Sequence, residues 1–163
     1  MPDTKKTFNS ISRVYNLINN IISLGKHKKW KKRLVLGHAI KGNVLDIATG
    51  TGDIVYLIEK YWKESTLYAT DPSNKMLEVA IKKNVKKNVI FSESYCEDLH
   101  FNNSFFDFVT ISFGIRNTKS INNALTECKR VMKKGATLKI MEFSKSENIF
   151  LSLLTTTYLF LII

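Results

Sequence analysis

The chain has 163 residues, 44% hydrophobic and 24% charged, which suits one packed domain and excludes disorder. With 7 Gly, 2 Pro and 2 Cys, collagen-like, linker-rich and disulfide-scaffold architectures are excluded, and Cys96 and Cys128 read as the reduced thiols of a cytosolic protein. The formal charge of +11 comes from 25 basic and 14 acidic residues and points to an anionic partner, either nucleic acid or a membrane.

The first forty residues read as helical. Phe8, Ile11, Tyr15, Ile18 and Ile22 recur at spacings of three and four on one face, and a second short helix is expected from about His27 to Leu36, stopping near Gly37. No apolar run follows a basic start at Met1–Lys5, so no signal peptide is expected. Lys, Ile and Asn make 52 of the residues, a composition that A/T-rich codons produce, but the charge is not spread evenly. Residues 1–41 hold ten basic residues against Asp3 alone, whereas residues 42–163 carry a net of +2. The densest stretch is Gly25-Lys26-His27-Lys28-Lys29-Trp30-Lys31-Lys32-Arg33. Two readings fit it. One is an anionic leaflet, where each basic residue contributes about 1 kcal/mol and Trp30 sits at headgroup depth. The other is a solvated helix face with Trp30 as its core anchor.

From Asn43 the rhythm changes. Val44-Leu45-Asp46-Ile47 is a short strand running into the Gly-rich turn Ala48-Thr49-Gly50-Thr51-Gly52-Asp53, and Ile54, Leu57, Ile58 and Tyr61 mark an amphipathic helix. Thr66–Asp71 is a second strand, and Ser73 can cap a helix over 74–83. Asn88–Ser92 and Phe106–Ser112 are the third and fourth strands. Ser120 can cap a helix reaching Lys133, with Ala124, Leu125, Cys128, Val131 and Met132 inward and Gly135 as its breaker, before a fifth strand over Thr137–Phe143. Ile149–Ile163 is apolar, yet fifteen helical residues span only about 22 Å of a roughly 30 Å hydrocarbon core. It reads as a core element left uncovered by a shortened C-terminus, with a monotopic anchor as the alternative.

Strands alternating with helices predict an α/β fold, a parallel doubly wound sheet with right-handed crossovers. Such sheets bind ligands beyond the carboxyl ends of their strands. That edge collects Asp46–Asp53, Asp71, the loop near Tyr95, and Ser112–Asn117.

Gly50 and Gly52 let the backbone approach a ligand, and the helix that follows presents free N–H groups. Val55 stands where a dinucleotide fold would have its third glycine, and no Lys-Ser/Thr pair completes a P-loop. Asp46 precedes the glycines and can accept from an ammonium or a hydroxyl, which suits an amino-acid moiety better than a pyrophosphate. Asp71 stands 19 residues beyond Gly52 at a strand end, where a carboxylate can accept both hydroxyls of a ribose; the plainer reading is a helix-capping Asp before Pro72.

With these residues the sequence resembles the class I S-adenosylmethionine methyltransferases. Phe113-Gly114-Ile115-Arg116-Asn117 after Thr110-Ile111-Ser112 narrows the likeness to the ubiquinone/menaquinone-biosynthesis C-methyltransferases. So do Val44–Asp53, Tyr15–Asn19 through Ser23-Leu24-Gly25 to Trp30-Lys31, Arg130–Gly135, and Glu142–Lys145. The resemblance runs collinearly over roughly residues 8–147. It implies a Rossmann-like fold with a basic helical cap at 1–41, a cofactor-binding core at 42–147 and an atypical apolar tail at 148–163, the family's last strands being absent. It implies S-adenosyl-L-methionine as cofactor, with Thr51 in contact with it, Asp71 on the ribose, Tyr95 and Cys96 lining the adenine, and Ser112 beside cofactor and substrate. Tyr95 stands where the family often has Asp or Asn; it can stack on a purine but cannot copy a carboxylate. His100 replaces a usual Pro.

The implied reaction is methylation of a ring carbon of a prenylated hydroquinone: demethylmenaquinol to menaquinol, the benzoquinol precursor of ubiquinone, or both. Arg116 is the expected cation that stabilises the phenolate, unless it pairs with a carboxylate such as Glu142, and Asn117 would orient the quinol oxygen. His27 and His100 are weaker candidates as bases, and no His/Cys/Asp cluster has metal-ligand spacing. The implied partners are the prenylated quinol and a membrane surface reached through the basic N-terminus, placing the protein in the cytoplasm at the inner membrane, with no nucleic acid. A homo-oligomer or a C-terminal partner chain fits the short C-terminus. Two alternatives stay open: another class I methyltransferase acting on a small molecule or RNA, and an inactive fragment that needs a partner.

Overall fold

The computed structural model describes residues 4–37, 40–83 and 89–143; the apolar segment 149–163 lies outside them. Three short helices lead the chain: α1 (Thr4–Ile11), α2 (Tyr15–Ile22) and α3 (Lys26–Val35). The periodicity of Phe8 to Ile22 predicts one helical face, but residues 12–14 form a turn that splits it into α1 and α2. Leu24 (φ +48°) and Gly25 (φ +73°) then turn the chain into α3 through the left-handed region.

Five strands follow: β1 (Gly42–Ile47), β2 (Ser65–Thr70), β3 (Val89–Ser92), β4 (Phe106–Ser112) and β5 (Met132–Met141). They form one parallel sheet in the order β3-β2-β1-β4-β5, as expected for a doubly wound fold. Helix α4 (Asp53–Tyr61) joins β1 to β2, α5 (Asn74–Lys83) lies between β2 and β3, and α6 (Ile121–Val131) joins β4 to β5. The central strands read as nearly continuous apolar runs because both faces of the sheet are covered. On one face Leu45, Ile47, Val109 and Ile111 pack with Ala124, Cys128 and Val131 of α6. On the other, Val44, Leu67, Ala69 and Phe108 pack with Val35 of α3, Ile54, Val55 and Ile58 of α4, and Trp62. Each buried Val, Leu, Ile or Phe among them contributes roughly 1.5–3 kcal/mol.

Ser73 caps α5, its Oγ accepting from Met76 N at 3.1 Å, and Ser120 caps α6, accepting from Asn123 N at 3.2 Å. The end of α6 departs from expectation. Leu125 is exposed, the helix stops at Val131, and β5 starts at Met132 with no intervening breaker. The last carbonyls of α6 are already taken, Arg130 O by Ser104 N and Val131 O by Phe105 N. Gly135 (φ +82°) lies inside β5, in the stretch where pairing with β4 slips between Phe106 and Phe108, so it serves a bulge rather than a helix end. Among the described residues no helix is long and apolar enough to cross a membrane.

Candidate functional site

The order β2-β1-β4 puts the strand-order reversal between β1 and β4, and a cavity of about 410 Å³ opens at that edge. Its wall takes Ala48 and Gly50 from the turn after β1, Asp71 and Pro72 after β2, Tyr95 and Cys96 after β3, and Phe113, Gly114 and Asn117 after β4. Phe8 of α1 and Tyr15 of α2 also line it. Periodicity places these two rings on an apolar face but does not show that the face covers a site.

The backbone at this edge is strained. Ala48 (φ +53°) and Phe113 (φ +57°) leave adjacent strands in the left-handed region, which bulky residues avoid. Gly114 follows and lies so close to Ala48 that a Cβ on it would come within 2.5 Å of the Ala48 Cβ. Gly50 (φ +55°) and Gly52 (φ +76°) carry the turn onward into α4.

Two buried carboxylates behave differently. Asp71 lines the cavity; its Oδ2 accepts from Gly50 N at 2.8 Å and its Oδ1 from Ser73 N at 2.9 Å. Burial raises its pKa to about 6 against the pull of those two N–H groups. Asp46 is turned away from the cavity wall. Thr110 Oγ1 donates to its Oδ1 at 2.6 Å and Thr49 Oγ1 to its Oδ2 at 2.7 Å, joining β1, its turn and β4. Burial raises it to about 6 as well, outweighing the two hydroxyls. Asp53, at the start of α4, goes the other way: burial opposes ionisation, but Lys31 at 2.8 Å and then Lys83 bring it to about 2.

The remaining candidates separate. Gly50, Asp71, Tyr95, Cys96 and Asn117 reach the cavity wall, whereas Thr51, Gly52, Ser112 and Arg116 lie outside it. Thr51 Oγ1 donates to Asn16 Oδ1 of α2 at 2.8 Å, and Ser73 Oγ donates to Asn9 Oδ1 of α1 at 2.6 Å. The two N-terminal helices are thus latched onto the turns after β1 and β2. Lys5 pairs with Glu93 beside them. Arg116 pairs with Glu142 and lies over the Phe143 ring, 5.4 Å from its centroid, so the structural pairing is the one realised. Lys119 lies over the Tyr95 ring, 5.7 Å from its centroid. Cys96 sits against Cys128, and that contact with burial pushes its thiol up, away from a thiolate. His27 is buried in α3, its Nδ1 2.7 Å from Ser23 Oγ, and His100 is exposed; neither reaches the cavity. Trp30 is half-buried and meets Phe143 edge-on at 6.1 Å.

Sequence reasoning missed Ser94, whose buried Oγ has no hydrogen-bond partner among the described residues although the residue borders the cavity. Ser112 Oγ is orphaned in the same way. No cluster of three metal-ligating side chains occurs among the described residues.

The model of the ubiE/COQ5 methyltransferase family matches residues 3–163. The chain is 36% identical over 155 residues to the ubiquinone/menaquinone biosynthesis C-methyltransferase UbiE of Rhizobium meliloti (strain 1021), covering 90% of this chain and 60% of that one. It is 36% identical over 145 residues to the UbiE of Francisella tularensis subsp. holarctica, covering 85% and 58%. A solved SAM-dependent methyltransferase from Aquifex aeolicus superposes with a TM-score of 0.62 at 28% identity, covering 75% of this chain and 66% of that one. The chain therefore spans about three fifths of the length of these two UbiE relatives.

Proposed function

The chain belongs to the ubiE/COQ5 methyltransferase family, and from that premise we propose that its cavity binds S-adenosylmethionine and that it serves C-methylation of a prenylated hydroquinone. The observation that carries this reading is Asp71: a carboxylate at the end of β2, on the cavity wall, tied to the glycine turn after β1.

The residues present fit the cofactor. Asp71 keeps lone pairs for the two ribose hydroxyls beyond those used by Gly50 and Ser73. Tyr95, exposed on the β3 side, offers a ring to the adenine once Lys119 moves off it. The orphaned Ser94 Oγ is a polar group that lacks a partner until a ligand supplies one. Bound there, S-adenosylmethionine would supply an electrophilic methyl on a cationic sulfur. Ala48, Gly50 and Gly114 allow the close backbone approach that aligns it, and Phe8, Tyr15 and Phe113 exclude water. Asp46 shapes the turn through Thr49 and Thr110 rather than by touching the ligand. Thr51 and Gly52 likewise act through the turn, and Ser112 would join only if its rotamer changes.

On the substrate side Asn117, at the cavity wall, is the group that would orient a quinol oxygen. Arg116 sits at the exposed rim with its charge met by Glu142, so its share in stabilising a phenolate is small. The ring is a naphthoquinol, as in demethylmenaquinol, or the benzoquinol precursor of ubiquinone. The protein would work in the cytoplasm against the inner membrane, where the prenyl tail resides. A second polypeptide segment is proposed for the open side of β5: that strand pairs with β4 alone among the described residues, and Ile140 and Phe143 are exposed beside a groove with Trp30 and Leu34.

The test is transfer of a labelled methyl from S-adenosylmethionine to demethylmenaquinol and to its benzoquinol counterpart in detergent, with RNA as the competing acceptor. Label in either quinone supports the reading. Label in RNA alone, or no binding of the cofactor, overturns it.

A further inference from the structure

We propose that the outward face of α2 is a bilayer-inserting surface and that the lysines opening α3 are its contacts with anionic lipid headgroups. Leu17 and Ile21 lie one turn apart on one side of α2, Val14 stands at its N-cap, and Leu24 follows it in the left-handed turn. Their exposures are 47, 60, 43 and 69%. The side turned toward the domain carries Tyr15 at the cavity wall and Asn16 bonded to Thr51. Single exposed aliphatics are ordinary on a protein surface, whereas four within eleven residues, on one short helix and its two ends, mark an interaction site.

Charge decides the partner. Two residues past Leu24 the chain reaches Lys26, Lys28 and Lys29, all exposed, and residues 4–37 contain no Asp or Glu. A nucleic acid would meet the lysines but not the aliphatic patch. A second protein would meet the patch but has no need of a segment without acids. An anionic leaflet meets both, with the aliphatic side chains in the acyl boundary and the ammonium groups among the headgroups. Trp30 is not the anchor, because it is occupied with Phe143. The purpose of this surface rests on the quinol reading above. The helix that bears the patch also walls the cavity, so docking through it sets the cavity beside the leaflet that holds a prenylated ring.

Flotation of the full chain with vesicles of phosphatidylglycerol and phosphatidylethanolamine, beside vesicles of phosphatidylcholine, tests this. The chain should float with the anionic vesicles, release with salt, and lose roughly five-fold in partition for each lysine of the α3 start changed to Gln. The Leu17→Glu, Leu24→Glu double variant should lose at least ten-fold while keeping its circular dichroism. A double variant that floats like the parent, or a parent that ignores anionic vesicles, overturns the proposal. A concentration-dependent dimer abolished by the double variant, with no flotation, assigns the patch to a second copy and also overturns it. A titration with S-adenosylmethionine on the same samples separates the two readings: a chain that floats but binds no cofactor keeps this surface and removes the methyltransferase assignment.

Discussion

The backbone N–H of Gly50 donates to Asp71 Oδ2 at 2.8 Å, so the turn leaving β1 is held by the acid that ends β2. Two strands thereby share one cavity-facing group. Asp71→Asn leaves at most one acceptor for the two N–H groups of Gly50 and Ser73 and removes the charge that a ribose diol would bind. Hydrogen bonds to charged groups are worth about 1.5–3 kcal/mol, so cofactor affinity should fall by about ten- to one-hundred-fold in isothermal titration. Equal affinity in the variant would contradict the ribose assignment.

Asp46 gives a pH dependence with a definite sign. Its pKa is raised from 3.8 to about 6 in the fold, so the folded state binds a proton more readily than the unfolded chain. Its favourable contribution is complete below about pH 4 and is lost as the pH rises through about 6. Asp71 acts in the same direction, and Asp53, lowered to about 2, in the opposite one, its contribution disappearing as the pH falls below its ordinary value. Asp46→Asn stays neutral at every pH, and the Thr49 and Thr110 hydroxyls can turn to suit it. The stability of this variant relative to the parent should therefore increase between pH 4 and 7, by at most about 3 kcal/mol. A difference in urea unfolding that is flat across that range would contradict the burial argument.

Gly114 and Ala48 form a close pair whose cost can be isolated. Gly114→Ala places a methyl 2.5 Å from the Ala48 Cβ, a side chain with no rotamer by which to move aside. Overpacking of this kind costs about 1–3 kcal/mol. Ala48→Gly removes the opposing methyl and relieves the φ of +53°, so the double variant should recover most of the loss in thermal unfolding. Strictly additive effects would show that the two do not meet.

Arg116 and Asn117 are neighbours in sequence with different prospects. Arg116→Ala breaks a rim pair with Glu142 and should leave turnover of a quinol within about three-fold, since exposed pairs contribute about 1 kcal/mol or less. Asn117→Ala removes a group at the cavity wall and should lower turnover at least ten-fold, with cofactor affinity unchanged. The reverse order of effects would return the oxyanion role to Arg116.

Much of this arrangement was legible from residues close in sequence. Asp71 and Gly50 could be read because strand ends and a glycine turn are local signals, and the parallel order brings them together by topology. Ser73 and Ser120 could be read as caps for the same reason. The bond between Asp46 and Thr110 could not be read, because the two lie 64 positions apart and the pairing of β1 with β4 decides it. Phe8 and Tyr15 were visible as an apolar face, but periodicity does not say what a face covers. The outward side of α2 fell in the same gap: Leu17 and Ile21 stand off the face of Tyr15, Ile18 and Ile22, and spacing alone does not say that they stay exposed.

The placement on which the other roles depend is that of a nucleoside's sugar on Asp71 within the cavity. A crystal structure of the chain with S-adenosylhomocysteine tests it most directly. Both ribose hydroxyls should lie within hydrogen-bond distance of the Asp71 carboxylate, with the adenine against Tyr95. A nucleoside bound elsewhere, or a cavity closed around Asp71 with the nucleoside absent at saturation, would contradict it.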